Sequence, residues 1–325
     1  MHCSICILVV VSLFRSPITR TWLLTIQTEW RRPPSGSPER DKAPSPLYTK
    51  IVTLFLDTPE APFSVHRFAL QGKQLGKEVG EWFGPSTAAG AIKSLVAACP
   101  SSNLRVANIL DGTVYEPDIV RESDDFTKPI LVLIGVRLGL NGVNPIYHRA
   151  LLDTFTFPQS VGIAGGRPSS SYYFVAAQAD NLFYIDPHQS KPVVQLTVPS
   201  YPTILTPTPE TDDSFYSDPK LYETLESYHT TRIRRCSVSS LDPSMLLAFL
   251  ITSKQDWLDF VHRVQQWEKP IFEIASRKPK WLVDTATSSP VMSPESVSPA
   301  EQDREGDNFE VESLPDDEDD PVLVS

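Results

Sequence analysis

The chain has 325 residues and a formal net charge of −11, a length that suits one large domain or two small ones. From Val291 to Ser325 there are twelve acidic residues against one basic residue, so this tail carries the whole net charge and the remainder is neutral. A neutral body with an acidic tail does not attract a phosphate backbone, which excludes nucleic acid as a predicted partner.

Cysteine usage indicates a reducing compartment. The chain has too few cysteines for a disulfide framework, and they are Cys3, Cys6, Cys99 and Cys236. Cys3 and Cys6 have the spacing of half a zinc or redox site, but no second pair accompanies them. The sequence therefore predicts a cytoplasmic protein with no metal and no other cofactor.

Changes in composition divide the chain into three parts. Pro33 to Pro46 is a polar, proline-rich stretch that cannot build a core, and Pro202 to Asp218 has the composition of a mobile loop. From about Ser276 the chain is rich in Ser, Pro, Asp and Glu, as in disordered segments. We predict an atypical N-terminus and linker (1–46), one globular domain (47–275) and a disordered acidic tail (276–325).

The first half of the domain shows alternating helix and strand signals. Ser86 or Thr87 can cap a helix whose apolar face ends at Cys99, which we expect in the core. Ile130 to Val136 is a nearly continuous apolar run, typical of a strand buried on both faces. Asn144 and Pro145 read as a cap and first residue leading into a helix over Ile146 to Phe155.

The second half contains a predicted hairpin followed by two predicted helices. Tyr172 to Ala177 and Leu182 to Asp186 are aromatic and β-branched runs separated by a polar turn. Ser244 to Leu250 and Asp256 to Trp267 are predicted to be helical. These elements give an α+β domain with an antiparallel sheet at its centre.

A glycine-rich segment, Gly162 to Ser171, precedes the hairpin. Its glycines allow a close approach of another backbone or a gating motion, whereas the other interpretation is a plain turn. A phosphate cradle is disfavoured because no helix follows the segment.

Asp186-Pro187-His188 follows the second strand of the hairpin. In extended backbone, residues two apart point to the same side, so Asp186 and His188 are predicted to face the same way. A carboxylate beside an imidazole fixes its tautomer, as a general base beside a nucleophile requires. The other interpretation, a turn with a surface histidine, remains open on these residues alone.

Several long motifs, in the family's order, resemble the autophagin family of papain-like cysteine proteases, which process the ubiquitin-like autophagy modifier. The segments that carry the resemblance extend over about Ile51 to Ile274, and they are Phe157 to Phe174, Tyr184 to His188, Ala61 to His66, Gly80 to Pro85, Arg137 to Leu140, Leu241 to Leu246, and Asp256-Trp257 with Arg263-Val264.

The resemblance implies a papain-like fold and a specific set of site residues. His188 is then the general base, Asp186 orients it, and Trp82 lies over the active-site cleft. The loop that lifts to admit the substrate tail corresponds to Gly165, Gly166, Arg167, Pro168 and Ser169.

The resemblance also implies a substrate and a setting. The family cleaves the modifier after a glycine near its C-terminus and later releases it from phosphatidylethanolamine. We expect a monomer that meets a membrane only through the lipidated substrate. The implied locations are the cytoplasm, the nucleus and the preautophagosomal structure.

The family's nucleophile is the departure from this pattern. Its cysteine lies in a Gly-Trp-Gly-Cys-Met motif at a helix start, and this sequence has no such motif. Trp22 to Arg32 resembles the end of that helix, so the fold is expected to be incomplete at its N-terminus, as in a truncated gene model. Cys6 has about the right distance from Trp30 but none of the motif's neighbours. We therefore expect no cleavage by the chain as it stands, and a non-catalytic modifier-binding module is the rival interpretation.

Two short segments and one cysteine give further predictions. Asp307 to Glu312 and Tyr222 to Leu225 resemble short modifier-binding motifs, the first with Glu312 where an aliphatic residue is wanted and the second in a predicted loop. A solvated acidic tail is the alternative for the first. Cys236 follows two arginines and is predicted to be a surface thiol.

Overall fold

The structure is a computed structural model that describes residues 46–167, 170–188, 193–194, 196–198, 215–228 and 232–279. Three predicted parts lie largely outside the described residues: the linker apart from Pro46, most of the loop over 202–218, and the tail after residue 279.

A seven-stranded mixed sheet forms the centre, in the order β1-β3-β8-β4-β5-β6-β7, and β2 and β9 form a separate two-stranded sheet. The strands are β1 (Arg105–Ile109), β2 (Thr113–Tyr115), β3 (Ile130–Arg137), β4 (Ser160–Arg167), β5 (Ser170–Gln178), β6 (Asn181–Ile185), β7 (Arg234–Ser237), β8 (Ser244–Ile251) and β9 (Glu273–Ala275).

The α+β class is confirmed, but the sheet is not purely antiparallel. Strand β1 runs parallel to β3, and every other neighbouring pair in the large sheet is antiparallel. The parallel pair needs a crossover, which is supplied by β2 and a short helix between them.

Helices cover both faces of the large sheet. They are α1 (Pro46–Thr53), α2 (Val65–Gln74), α3 (Pro85–Ala97), α4 (Glu116–Glu122), α5 (His148–Asp153), α6 (Pro219–Thr224) and α7 (Lys254–Gln265). One apolar cluster joins α1, α2 and α3 to one face, and a second joins α4, α5 and α7 to the other. Strand β3 contributes to both clusters, with Leu131 and Leu133 on one side and Val132 and Ile134 on the other, as its continuous apolar run predicts.

Strand β8 corrects the prediction of a helix over Ser244 to Leu250. The segment is a central strand between β3 and β4. Leu246 and Leu250 lie in the first cluster, whereas Leu247 and Phe249 lie in the second. A short apolar run that is buried on both faces has no periodicity that distinguishes a strand from a helix, so the sequence pattern wrongly predicts a helix here.

The remaining predicted helices are present with small differences. Helix α3 begins at Pro85 with Gly84 as its N-cap, not at Ser86 or Thr87, and Cys99 is buried as expected. The predicted helix over 146–155 is confirmed as α5 between two 3-10 turns, and the Asn144 side chain accepts the Ile146 N–H at 3.1 Å.

Beyond α7, the chain returns to the β1 side of the domain. Strand β9 pairs in parallel with β2, and the Lys278 Nζ lies 2.7 Å from the Asp118 carboxylate. Within the part of the chain that the structure describes, no helix is both long and apolar enough to cross a membrane.

Candidate active site

The described residues of the glycine-rich segment belong to two paired strands, β4 and the start of β5, and its glycines allow the close approach of another backbone that the sequence predicted as one interpretation. Gly165 and Gly166 lie in β4, paired with Tyr172 and Ser171 of β5. A Cβ on Gly166 would lie 1.7 Å from the Ser170 carbonyl oxygen, so only glycine allows this approach of the two strands. The Gly166 carbonyl also accepts the Asp242 N–H at 2.8 Å, which anchors the strand end.

The other predicted loop residues are only partly described. The backbone of Arg167 pairs with Ser170 at the end of β4, while Pro168 and Ser169 lie outside the described residues. Trp82 lies between α2 and α3, next to the buried Phe83, and 43% of its surface is exposed. The substrate-binding roles of these residues stay predictions.

Asp186 and His188 are brought together as the sequence predicted. The His188 Nδ1 lies 2.6 Å from the Asp186 Oδ1, and both side chains are largely buried, with 24% and 15% of their surfaces exposed. With its proton on Nδ1, the imidazole donates to the carboxylate and leaves Nε2 as an acceptor. The catalytic roles assigned to the two residues stay predictions.

The physical reason for this proximity differs from the predicted one. Strand β6 ends at Ile185, so Asp186 and His188 are not alternate residues of extended backbone. Instead, the Asp186 Oδ1 accepts the backbone N–H of His188 at 2.9 Å, which is an Asx-turn with Pro187 at its corner. One carboxylate oxygen therefore holds both the backbone and the ring of the same histidine.

Two further residues surround the pair. The Arg234 Nη1 lies 3.7 Å from the Asp186 Oδ2, opposite the oxygen that binds His188. The Tyr172 ring meets the His188 ring edge to face, with centroids 5.7 Å apart. Among the described residues, the buried His188 Nε2 has no hydrogen-bond partner. The arrangement thus presents one unengaged basic nitrogen beside a fixed carboxylate, as a general base requires.

Arg234 and Tyr172 were missed at the sequence level. Arg234 reaches Asp186 because β7 pairs with β6 in a register that sets Arg234 opposite Tyr184. No local pattern gives that register. The sequence gives only a weak indication of the position of Tyr172, because Tyr172 and Phe174 are alternate aromatic residues and therefore lie on one face of the predicted strand.

The described cysteines are core residues. Cys99 and Cys236 are 7% and 5% exposed, so the prediction of a surface thiol at Cys236 is wrong. Strand β7 turns that side chain inward, between two outward-facing neighbours. Cys3 and Cys6 lie outside the described residues. No group of three His, Cys, Asp or Glu residues suited to a metal ion occurs among the residues that the structure describes.

The predicted binding motif at Tyr222 to Leu225 is not in a loop. It crosses from α6 into a 3-10 turn, and Leu225 is fully buried, so the aliphatic anchor is unavailable to a partner. The other candidate motif, Asp307 to Glu312, lies outside the described residues.

Comparison with known proteins identifies the class to which this fold and this pair belong. The sequence matches the model of the peptidase C54 catalytic domain over residues 13–263. The chain therefore belongs to the peptidase C54 family, which confirms the resemblance to autophagins and the papain-like fold class.

The related proteins are named as fungal cysteine proteases. The chain is 39% identical over 309 residues to "Probable cysteine protease atg4" of Sclerotinia sclerotiorum, covering 93% of this chain and 61% of that protein. It is 33% identical to "Cysteine protease ATG4" of Cryptococcus neoformans, covering 81% and 34%. It is also 39% identical to "Probable cysteine protease atg4" of Aspergillus niger, covering 78% and 57%. The chain thus spans about a third to three-fifths of the length of these relatives.

Proposed function

We propose that the chain is a thiol-dependent peptidase of the autophagy pathway, with His188 as the general base and Asp186 as its orienting carboxylate. The observation that carries the proposal is the 2.6 Å contact between Asp186 Oδ1 and His188 Nδ1, with Nε2 buried and without a partner among the described residues. Family membership supports the choice of a thiol as the nucleophile.

The chemistry follows from the geometry of the pair. A thiol close to Nε2 loses its proton to the imidazole, and the resulting imidazolium donates from Nδ1 to the Asp186 carboxylate, which stabilises the charge. The thiolate attacks the scissile carbonyl carbon, and as the C–N bond breaks the imidazolium returns the proton from Nε2 to the leaving amine. Water, deprotonated by Nε2, then hydrolyses the resulting thioester and regenerates the thiol. The Asx-turn keeps the carboxylate in place throughout, because His188 holds it through its backbone as well as its ring.

The proposed substrate is the ubiquitin-like autophagy modifier. We propose cleavage after its C-terminal glycine and release of the modifier from phosphatidylethanolamine. We propose that the substrate tail passes between Trp82 and the end of β4, where a glycine needs the least room because it has no side chain. Trp82 is large and 43% exposed, which makes it available for such a contact.

A second candidate is a modifier-binding module that does not cleave. It is favoured by the sequence, which lacks the Gly-Trp-Gly-Cys-Met motif, and by the burial of Cys99 and Cys236, the two cysteines within the family match. Under this proposal the same surface holds the modifier, and the Asp186–His188 pair has no thiol to activate.

The deciding experiment uses the purified chain and a modifier that carries a fluorescent reporter after its C-terminal glycine. Binding is followed by reporter anisotropy, and cleavage is followed by reporter release. A parallel assay measures release of the modifier from vesicles that contain its phosphatidylethanolamine conjugate. His188→Ala removes the proposed base, and Cys6→Ala removes the candidate thiol that the sequence offers ahead of the described residues.

A matched control is available in a second histidine–carboxylate pair. The His66 Nε2 lies 3.3 Å from the Asp57 carboxylate, but both side chains are well exposed. Release that is lost in His188→Ala and retained in His66→Ala supports the peptidase. Binding without release supports the binding module. A chain that neither binds nor cleaves the modifier would overturn both candidates.

A further inference from the structure

The His188 ring is the end of an aromatic stack that crosses the hairpin. The Tyr172 and Tyr184 rings are 4.4 Å apart between centroids, and the Phe174 ring meets Tyr184 edge to face at 5.7 Å. Tyr184 and Phe174 are each 1% exposed, so the base of the stack is fixed in the core. Tyr172 extends this rigid base to His188 at 5.7 Å and an interplanar angle of 81°.

The hydrogen bond to Asp186 alone does not fix the imidazole. A single Nδ1–H bond restrains the ring only loosely, because an acceptor oxygen tolerates a broad range of angles, so a coupled rotation about χ1 and χ2 can still tilt the ring plane and displace Nε2. Edge-to-face packing against Tyr172 acts on the ring plane and opposes this rotation. The two contacts therefore constrain different motions of one ring.

We propose that Tyr172 is a positioning residue for His188, acting through its ring and not through its hydroxyl group. Its packing holds the imidazole plane so that Nε2 faces one place, while Asp186 selects the tautomer. This inference rests on the proposed function for its catalytic meaning, but the positioning itself is measurable without a substrate.

The test compares Tyr172→Phe with Tyr172→Leu in the full chain. The readout is the order parameter of the His188 Cε1–H bond from ¹³C relaxation, with the imidazole ¹⁵N shifts giving the tautomer and thermal unfolding giving stability. Phe183→Leu is the matched control, because Phe183 is a half-buried aromatic residue of β6 whose side chain points to the sheet face opposite Tyr184. Tyr172→Met provides a second ring-deleting variant should the leucine variant fail to fold.

We expect Tyr172→Phe to keep the His188 order parameter of the wild type. Both ring-deleting variants should lower this order parameter from a rigid value of about 0.85 toward values below about 0.6. Phe183→Leu should keep the wild-type order parameter of His188, even if its unfolding temperature falls as much as that of the ring-deleting Tyr172 variants. An unchanged order parameter in the ring-deleting variants overturns the proposal, as does an equal loss in Tyr172→Phe or in Phe183→Leu. Failure of the modifier assay would leave these results standing, because no substrate enters them.

Discussion

At the scale of single residues, burial determines which side chains are available for chemistry. Cys236 faces the second apolar cluster from β7, although Arg234 and Arg235 precede it and are exposed. A thiol in this position contributes packing, and its replacement by a smaller or more polar group affects the core before it affects the candidate active site.

The first prediction concerns this buried thiol. Cys236→Ser should lower the free energy of unfolding by about 1–3 kcal/mol, because the hydroxyl group is buried among apolar side chains. Chemical denaturation measures the change. Cys236→Val is the matched control, since it keeps an apolar side chain suited to a strand, and it should be much closer to the wild type. Equal stability of the serine and valine variants would indicate that the position is solvated.

The pair Asp186–His188 shows what residues alone could and could not predict. The spacing of the carboxylate and the imidazole predicts that the two side chains lie close together. The same prediction assumes extended backbone, whereas the structure has an Asx-turn at this position. The contact of Arg234 with Asp186 depends on the register between β6 and β7. That register pairs Tyr184 with Arg234, which are 50 residues apart in the chain, and it is set by the packing of the folded domain. Only the tertiary structure supplies such a contact.

At the scale of elements, the hairpin β4–β5 depends on a glycine at one position. Gly166→Ala should destabilise the protein by about 1–3 kcal/mol, because the added Cβ would lie 1.7 Å from the Ser170 carbonyl oxygen and the strands must separate. Gly135→Ala in β3 is the control, since its Cβ would meet only ordinary contacts near 3.7 Å. Thermal unfolding compares the two, and equal losses would contradict the close-approach explanation.

Helix α7 is tied to the sheet by a network around Asp259. The Arg263 Nε donates to Asp259 at 2.7 Å and the Gln159 Nε2 at 2.9 Å, and together they hold the pKa of the Asp259 carboxyl below its usual value. Because the folded-state pKa is lower than the unfolded one, this stabilisation is present above the ordinary aspartate pKa. It is lost as the pH falls through the folded-state pKa.

Arg263→Gln should therefore raise the pKa of Asp259 toward its usual value, because the guanidinium is the largest cause of the shift. Carboxyl ¹³C shifts followed through a pH titration measure it. Lys254→Gln, in the same helix and exposed, is the charge-matched control and should leave the Asp259 titration unchanged. A titration of Asp259 that is the same in the wild type and in Arg263→Gln would contradict this account.

Elements with a clear period were predictable, and those buried on two faces were not. The hairpin β5–β6 and helix α7 have the alternation or the 3.6-residue period that one buried face imposes. Strand β8 has seven buried residues in succession, Met245 to Ile251, and its sequence alone does not separate strand from helix. The glycines of β4 allowed either a close backbone approach or a gating motion at the sequence level, and the structure shows the close approach of β4 to β5 at Gly166.

At the scale of the whole molecule, Phe260 and the candidate site lie at different strands of one sheet, although Tyr184 beneath the site belongs to the same apolar cluster as Phe260. Phe260 of α7 is fully buried and contacts Phe249 at 4.8 Å and Phe272 at 6.0 Å between ring centroids. The Asp186–His188 pair follows β6, three strands away from β8 in the sheet order. Loss of the packing around Phe260 should therefore lower the stability of the protein without altering the local geometry of the Asp186–His188 pair.

Phe260→Ala should lower the free energy of unfolding by about 3–5 kcal/mol through the lost apolar surface and the cavity left behind. Leu258→Ala is the control in the same helix, because Leu258 is 49% exposed, and its effect should stay within about 0.5 kcal/mol. Denaturant unfolding measures both. In the folded Phe260→Ala protein, the His188 ¹⁵N shifts should match the wild type, and a changed tautomer would show that site and core are coupled.

The proposed peptidase chemistry depends on the hydrogen bond between His188 Nδ1 and Asp186, and ¹⁵N-detected NMR of the His188 imidazole tests that hydrogen bond most directly. At a pH where the ring is neutral, we expect the proton on Nδ1 in the wild type, with Nε2 unprotonated. In Asp186→Ala no side-chain oxygen remains to accept the proton on Nδ1, so the Nδ1–H preference should be lost. A wild-type ring protonated on Nε2, or a tautomer unaffected by Asp186→Ala, would contradict the assignment of this pair as a general base and its orienting carboxylate.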